Sequence, residues 1–334
     1  MDKPTKYGVE NMPTKGKTIG LILALIIIIG VTGVIAWQQF YKPEKAIAGP
    51  ITVTDDVRRN ITITNYPPER IVSLAPSCTE ILFALELGDK VVGVDEYSDY
   101  PPEVKERVEA GNLTTVGSFE AISTELVVGL EPDLIVATGG VQRVVVESLE
   151  GLGLPVIVLY PYGKGFDGTL ADISLAGKAT GQIDEAEALV ADMQRKAQEI
   201  ADKTRDAPKP RVYIEYFFDG GYWSYGGGSD VNELVSMAGG INVFAGFASA
   251  YLSTSTEEIL KANPEIIIIS KGAMAISSGL TPEEIKNRPG WSEIYAVQKD
   301  QICEIEESIL VRPSPRVVNA LEALANLLHP ELFG

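Results

Sequence analysis

Histidine is nearly missing from this chain, with one imidazole, His329, in 334 residues, and cysteine appears only as Cys78 and Cys303. There is no CxxC pair, no HExxH helix and no Walker-type glycine loop. Metal, zinc-hydrolase and nucleotide chemistry therefore lack their parts. Ser77 has no base beside it to make it a nucleophile. These absences argue against an enzyme and against a resident cofactor. Positive charge is also short: 28 Lys and Arg face 46 Asp and Glu, a formal net charge of −18. Such a balance repels nucleic acid and anionic lipid surfaces, so no nucleic-acid partner is expected.

What the chain does have begins with one long apolar run. Residues 19–36 read IGLILALIIIIGVTGVIA, with no charge; at about 1.5 Å per residue they nearly cross a hydrocarbon core of about 30 Å. Lys3, Lys6, Lys15 and Lys17 precede it, which places the N-terminus in the cytoplasm and everything beyond the run outside. The expected order is a cytoplasmic segment at 1–18, a transmembrane anchor at 19–37, a tether at 38–49 and an extracytoplasmic body. Ala46-Ile47-Ala48 resembles a signal-peptidase site, but it lies well beyond a run longer than most signal cores, which favours an uncleaved anchor. No cysteine follows the run closely, which disfavours a lipid-anchored lipoprotein; Cys78 and Cys303 are expected to be free, buried thiols. Asn60-Ile61-Thr62 and Asn112-Leu113-Thr114 match the N-glycosylation pattern.

Two stretches 132 positions apart are near copies: Ser123-Thr124-Glu125, LVVGLE, Pro132-Asp133, LIVA, and Ser255-Thr256-Glu257, EILKAN, Pro264-Glu265, IIII. Each reads as a capping Ser, a short helix stopped before proline, and an apolar run suited to a strand buried on both faces. One unit used twice predicts an α/β chain of two Rossmann-like lobes with central parallel sheets. The N-terminal lobe is expected at 50–166, opening on a hairpin from ITVT and ITIT, with Ser77 and Glu80 as a capping-box pair on its first helix. Helix formers dominate 167–207, broken only at Gly181, and predict a single long connecting helix in which 184–205 could run about 33 Å as one rod; the C-terminal lobe then runs over 208–334.

In open parallel sheets, ligands bind beyond the carboxyl ends of the strands. The loops there are rich in tyrosine and glycine, which offer aromatic faces and close backbone approach to a flat ligand. They nominate Pro76, Tyr97, Tyr100, Gly139, Gly140, Tyr160, Tyr162, Trp223, Tyr225, Lys271, Ile309 and Arg312. Arg312 and Arg316 suit ligand carboxylates or amide oxygens, and equally a tie from the last helix to the lobe. Glu125 and Glu257 sit in the first turns of matched helices, where the helix dipole stabilises a carboxylate. A matched pair also suits a two-fold partner with basic pockets.

The segments RIVSLAPSCTEILFALELGDKVVGV, EYSDYPPEVKE, EPDLIVATGG, GGGSDVNELVSMAGGINVF and VRPSPRVVNALEALANLLHPELF together resemble the cobalamin-binding proteins of ABC importers, within the wider class that carries iron-siderophores and haem. The resemblance implies two lobes joined by one long helix, a corrinoid as transported ligand, and a permease dimer with cytoplasmic ATPase subunits as partner. It also implies that Glu125 and Glu257 dock onto arginines of that permease. Where the family holds the corrin between tryptophans, this chain carries Phe119 and Ile309, with Trp223 or Tyr225 as neighbouring substitutes. A ferric siderophore or haem cargo, or a tethered ligand sensor, are the alternative readings.

Overall fold

A computed structural model of the chain describes residues 49–159 and 163–333. The expected anchor at 19–37, nearly all of the tether, and Tyr160 and Tyr162 lie outside the described residues. Among the described residues no helix is long and apolar enough to cross a membrane.

The N-terminal lobe opens on the expected hairpin: β1 (Ile51–Thr54) pairs antiparallel with β2 (Asn60–Ile63). Then follow β3 (Ile71–Ser73), α1 (Pro76–Ala84), β4 (Val91–Val94), α2 (Pro102–Glu109), β5 (Thr114–Thr115), the small hairpin β6 (Gly117–Ser118) and β7 (Ala121–Ile122), α3 (Thr124–Gly129), β8 (Leu134–Thr138), α4 (Arg143–Gly151) and β9 (Val156–Leu159). The sheet order is β5-β4-β3-β8-β9, and every pair is parallel. Every residue of β3, β8 and β9 is buried, as expected where helices cover both faces of a parallel sheet.

The link between the lobes is not one helix but two. Gly181 adopts φ 84° and breaks the helical run into α5 (Gly165–Thr180) and α6 (Ile183–Thr204). A side chain at Gly181 would press on Pro67 at 3.2 Å, so both the left-handed backbone and the close approach favour glycine there. Helix α5 touches α1 and β1 of the first lobe. Helix α6, about 33 Å long at 1.5 Å per residue, packs on α5 and on the second lobe.

The C-terminal lobe contains β10 (Arg211–Phe218), β11 (Tyr222–Tyr225), α7 (Asp230–Met237), β12 (Ile241–Asn242), β13 (Tyr251–Thr254), α8 (Thr256–Ala262), β14 (Ile266–Lys271), α9 (Ala273–Ser277), α10 (Pro282–Lys286), α11 (Tyr295–Gln298), β15 (Ile302–Glu306), α12 (Glu307–Val311), α13 (Val317–Leu328) and α14 (Pro330–Phe333). Its sheet is mixed, which corrects the expectation of two parallel sheets. β10, β14 and β15 run parallel, whereas β11 and β13 are antiparallel additions on the β10 side, in the order β13-β11-β10-β14-β15. The turn Asp219-Gly220-Gly221 is too short for a crossover and returns the chain as a hairpin.

The internal repeat is deeper than its sequence suggests. Ser123 Oγ accepts from Leu126 N and Ser255 Oγ from Glu258 N, each at 3.3 Å, so both helices carry the expected side-chain cap. Each helix is followed by a left-handed residue at the equivalent place, Glu131 at φ 48° and Asn263 at φ 41°. The acid after proline then clasps the arginine opening the neighbouring strand. Asp133 Oδ2 accepts from Arg70 N and Glu265 Oε2 from Arg211 N, both at 3.0 Å. The arginine side chains in turn donate to carbonyls near the helix ends, Leu130 at 2.9 Å and Ala262 at 3.1 Å. Ile71 opposite Leu134 and Val212 opposite Ile266 are therefore the same register built twice.

Candidate functional site

The two lobes meet where α1 of the first faces residues 307–316 of the second. Helix α1 starts at Pro76, whose missing N–H costs nothing in the first turn, and its cap residue is Ala75 with no side-chain bond. The expected Ser77–Glu80 capping box is therefore absent. Glu80 instead turns into the lobe interface, where its side chain is 2 % exposed. Its carboxylate accepts from Arg316 Nε at 2.8 Å, Arg316 Nη2 at 2.6 Å, Ser314 Oγ at 2.5 Å and Arg312 Nη1 at 3.1 Å. Arg312 Nη1 also donates to Asp99 Oδ1 at 2.6 Å. Burial works against the charge on both arginines, but their bonds to Glu80, and for Arg312 to Asp99, outweigh it and the net shift is upward. Both arginines thus hold residues 312–316 to α1 of the opposite lobe, and Arg312 also lines the neighbouring cavity.

Beside this clasp lies a cavity of about 520 Å³. Pro76, Ser77, Tyr97, Phe119 and Glu120 wall it from the first lobe, and Glu307, Val311, Arg312 and Pro313 from the second. Beneath Tyr97, the buried Asp95 accepts from Ser98 Oγ at 2.5 Å and from Tyr97 N at 3.0 Å. Burial pushes the Asp95 carboxyl up to about 6 against the pull of these bonds and of Arg312. On the second lobe three tyrosines cluster, with ring centroids 4.9 Å apart for Tyr216–Tyr225, 5.8 Å for Tyr225–Tyr251 and 6.0 Å for Tyr216–Tyr251. Burial raises all three phenols, and Glu307 adds to the rise in each. Two aromatic rings, two prolines and a valine, set beside two carboxylates and Arg312, make a surface for binding a bulky ligand. No group here is paired as nucleophile and base.

Of the residues nominated from sequence, Pro76, Tyr97, Phe119 and Arg312 come together in this cavity. Tyr100 lies next door, under the Arg316 guanidinium at 4.1 Å, in a space of about 310 Å³ shared with Glu80 and Phe83. Tyr225 is buried and hydrogen-bonded to Ser270 Oγ at 3.2 Å. Five further nominations lie outside this cavity. Gly139 and Gly140 line a different cavity, of about 240 Å³, with Val57 and Arg59 of the first hairpin, because the chain turns there into α4. Lys271 donates to Glu304 at 2.8 Å across β14 and β15, and Ile309 packs against the core from α12. Trp223 Nε1 donates to Asp219 at 3.0 Å, within the β10–β11 hairpin. Sequence reasoning missed Glu120, Glu307, Tyr216 and Tyr251. The period-two pattern of RVYIEYF, with Ile214 and Tyr216 on one face, was the available signal for Tyr216.

Glu125 and Glu257 are exposed at equivalent positions of α3 and α8, and among the described residues neither accepts a hydrogen bond or forms an ion pair. Cys78 is buried and Cys303 half-buried, and both are free thiols.

The model of one protein family, described as "Periplasmic binding protein", matches residues 71–309. The chain belongs to that family. An uncharacterized ABC transporter substrate-binding lipoprotein of Bacillus subtilis is 28% identical over 319 residues, covering 94% of this chain and 96% of its own length. A vitamin B12-binding protein of Vibrio cholerae is 31% identical over 279 residues, covering 79% and 90%. Among solved structures, the periplasmic haem-binding protein RhuT of Roseiflexus superposes with TM-score 0.68 at 25% identity, covering 78% of this binding protein and 98% of that chain. This periplasmic binding protein is thus the substrate-binding part of an ABC importer of the vitamin B12, haem and siderophore class, and not an enzyme. Its partners are a permease and an ATPase together with a small-molecule ligand.

Proposed function

We propose that this binding protein captures cobalamin or a related corrinoid outside the cell and hands it to a permease dimer, held at the membrane by an anchor at 19–37. The observation that carries the cargo is the 31% identity to the Vibrio cholerae vitamin B12-binding protein over 79% of the chain. The cleft supports it: a cavity of about 520 Å³ with Pro76, Tyr97 and Phe119 on one wall suits the edge of a large, flat, largely apolar macrocycle. Tethering keeps the body near its permease, at an effective concentration on the order of millimolar for a short flexible link. Glu125 and Glu257, which have no hydrogen-bond or ion-pair partner among the described residues and are matched across the lobes, are the docking points for the two-fold permease.

Equilibrium titration of the purified body, residues 49–334, with cyanocobalamin tests the cargo. Saturable binding below micromolar ligand is expected; no binding at ten-micromolar ligand by a folded sample refutes it. Membrane fractionation of the full chain against a chain starting at residue 49 tests the anchor, and recovery of the full chain in the soluble fraction refutes that part.

A further inference from the structure

Among the described residues, Glu307 is the half-buried carboxylate of the cleft that no donor serves, whereas Glu120 on the opposite wall is exposed. Glu307 opens α12 immediately after β15 and walls the 520 Å³ cavity. Among the described residues, nothing donates a hydrogen bond to its carboxylate or forms an ion pair with it. A Cβ on Gly272 would lie 1.6 Å from Glu307 Oε2, so the carboxylate occupies space that only a bare backbone leaves open. Burial pushes this carboxyl up, and Arg312 offsets that only in part. Arg312, the only cation among the described residues of the cavity wall, is already committed to Glu80 at 3.1 Å and Asp99 at 2.6 Å. Glu120 on the opposite wall adds a second negative charge.

Half-buried at the wall of the cleft, the Glu307 carboxylate is within reach of solvent. A ligand that fills the cleft displaces that solvent, and an ionised carboxylate stripped of donors is expensive to bury. The ligand must then bring N–H donors of its own. A ligand bringing carboxylates instead meets like charge with no free cation to offset it.

Resting on the corrinoid reading above, we infer that Glu307 is the specificity-determining residue of the cleft, selecting cargo whose rim carries carboxamide N–H donors over cargo whose rim carries carboxylates. It distinguishes a fully amidated corrinoid from one with a hydrolysed side chain, and from haem with its two propionates.

The test uses the wild-type chain and Glu307→Gln, both checked for an unchanged circular dichroism spectrum, at pH 8. Two ligand pairs are titrated: cyanocobalamin against the same molecule with one peripheral carboxamide hydrolysed to the acid, and haemin bis-amide against haemin. Wild type is expected to favour the amide member by on the order of 10–100-fold, the usual scale for a lost or repelled hydrogen bond to a charged group. Glu307→Gln, which retains the shape and loses the charge, is expected to bring the two members within about threefold. An equal ratio in wild type and variant overturns the role of Glu307. Failure of wild type to bind either corrin overturns the corrinoid reading alone, because the porphyrin pair still reads the amide preference. Tighter wild-type binding of haemin than of its bis-amide overturns the inference, as does failure to bind all four ligands.

Discussion

Replacing Glu80 by Gln should separate the two lobes energetically. In the native protein one carboxylate, 2 % exposed, accepts four hydrogen bonds from Arg312, Ser314 and Arg316. The amide keeps the shape but removes the charge and offers one acceptor oxygen where there were two. Arg316, with its side chain 9 % exposed, is then left with the amide oxygen, Ser308 Oγ at 3.3 Å and Glu306 at 3.5 Å, and Arg312 with Asp99 at 2.6 Å. Breaking a buried pair by removing one partner costs about 3–5 kcal/mol. The surviving contacts place Glu80→Gln near about 3 kcal/mol, which for a chain of this size lowers Tm by about 6 °C. Urea unfolding followed by circular dichroism reads the first figure and calorimetry the second. As a comparison, Arg143→Ala removes an exposed pair with Glu147 and should cost less than about 0.5 kcal/mol. The double variant Glu80→Met with Arg316→Met should recover a good part of the loss, since it removes the orphaned charge as well as the pair. A Glu80→Gln protein within about 1 kcal/mol of wild type, or a double variant worse than the single one, would refute the argument.

Three further outcomes are expected. Glu125→Ala and Glu257→Ala should each leave ligand affinity within about twofold and the double change should abolish uptake in cells; normal uptake counts against the docking role. Asp95 has its folded pKa raised to about 6 from 3.8 by burial, so its contribution to stability is fullest below 3.8 and is lost as pH rises through 6. Above pH 6 the penalty approaches about 3 kcal/mol, and the stability gap between wild type and Asp95→Asn should therefore change across pH 5 to 7.5; a constant gap contradicts the assignment. Ser255→Ala removes a complete capping box on α8 and should cost about 1 kcal/mol, read by urea unfolding, with a change below about 0.3 kcal/mol excluding the cap as a stabilising device.

The repeat, the buried strands and the helix caps were legible in the sequence because each is a local rule. A continuous apolar run says that both faces are covered, and Ser-Thr-Glu ahead of a helix says where it starts. Strand-end placement gave Pro76, Tyr97 and Arg312 for the same reason, since the carboxyl end of a strand is visible in one dimension. Gly181 was legible as the one break in the helical run and 184–205 as its long rod, but that the segment before the break is a second packed helix, with Gly181 at φ 84° against Pro67, showed only in the structure. The mixed sheet of the second lobe was missed because YWSY and YLST show strand propensity but carry no mark of direction.

Sequence by itself determined the two-lobed α/β plan, the acidic surface, the absence of catalytic parts and the family resemblance. The surroundings of Glu80 and Glu307 came only with the tertiary structure. Glu80 looks like the last member of a capping box, and its true partner Arg316 lies 236 positions away. Glu307 looks like one more acid at a strand end until Gly272 is seen to make room for it and Arg312 is seen to be occupied elsewhere. A hydrogen-bonding group shows its chemistry in the sequence, but whether it is satisfied depends on which atoms the fold brings within about 3 Å of it.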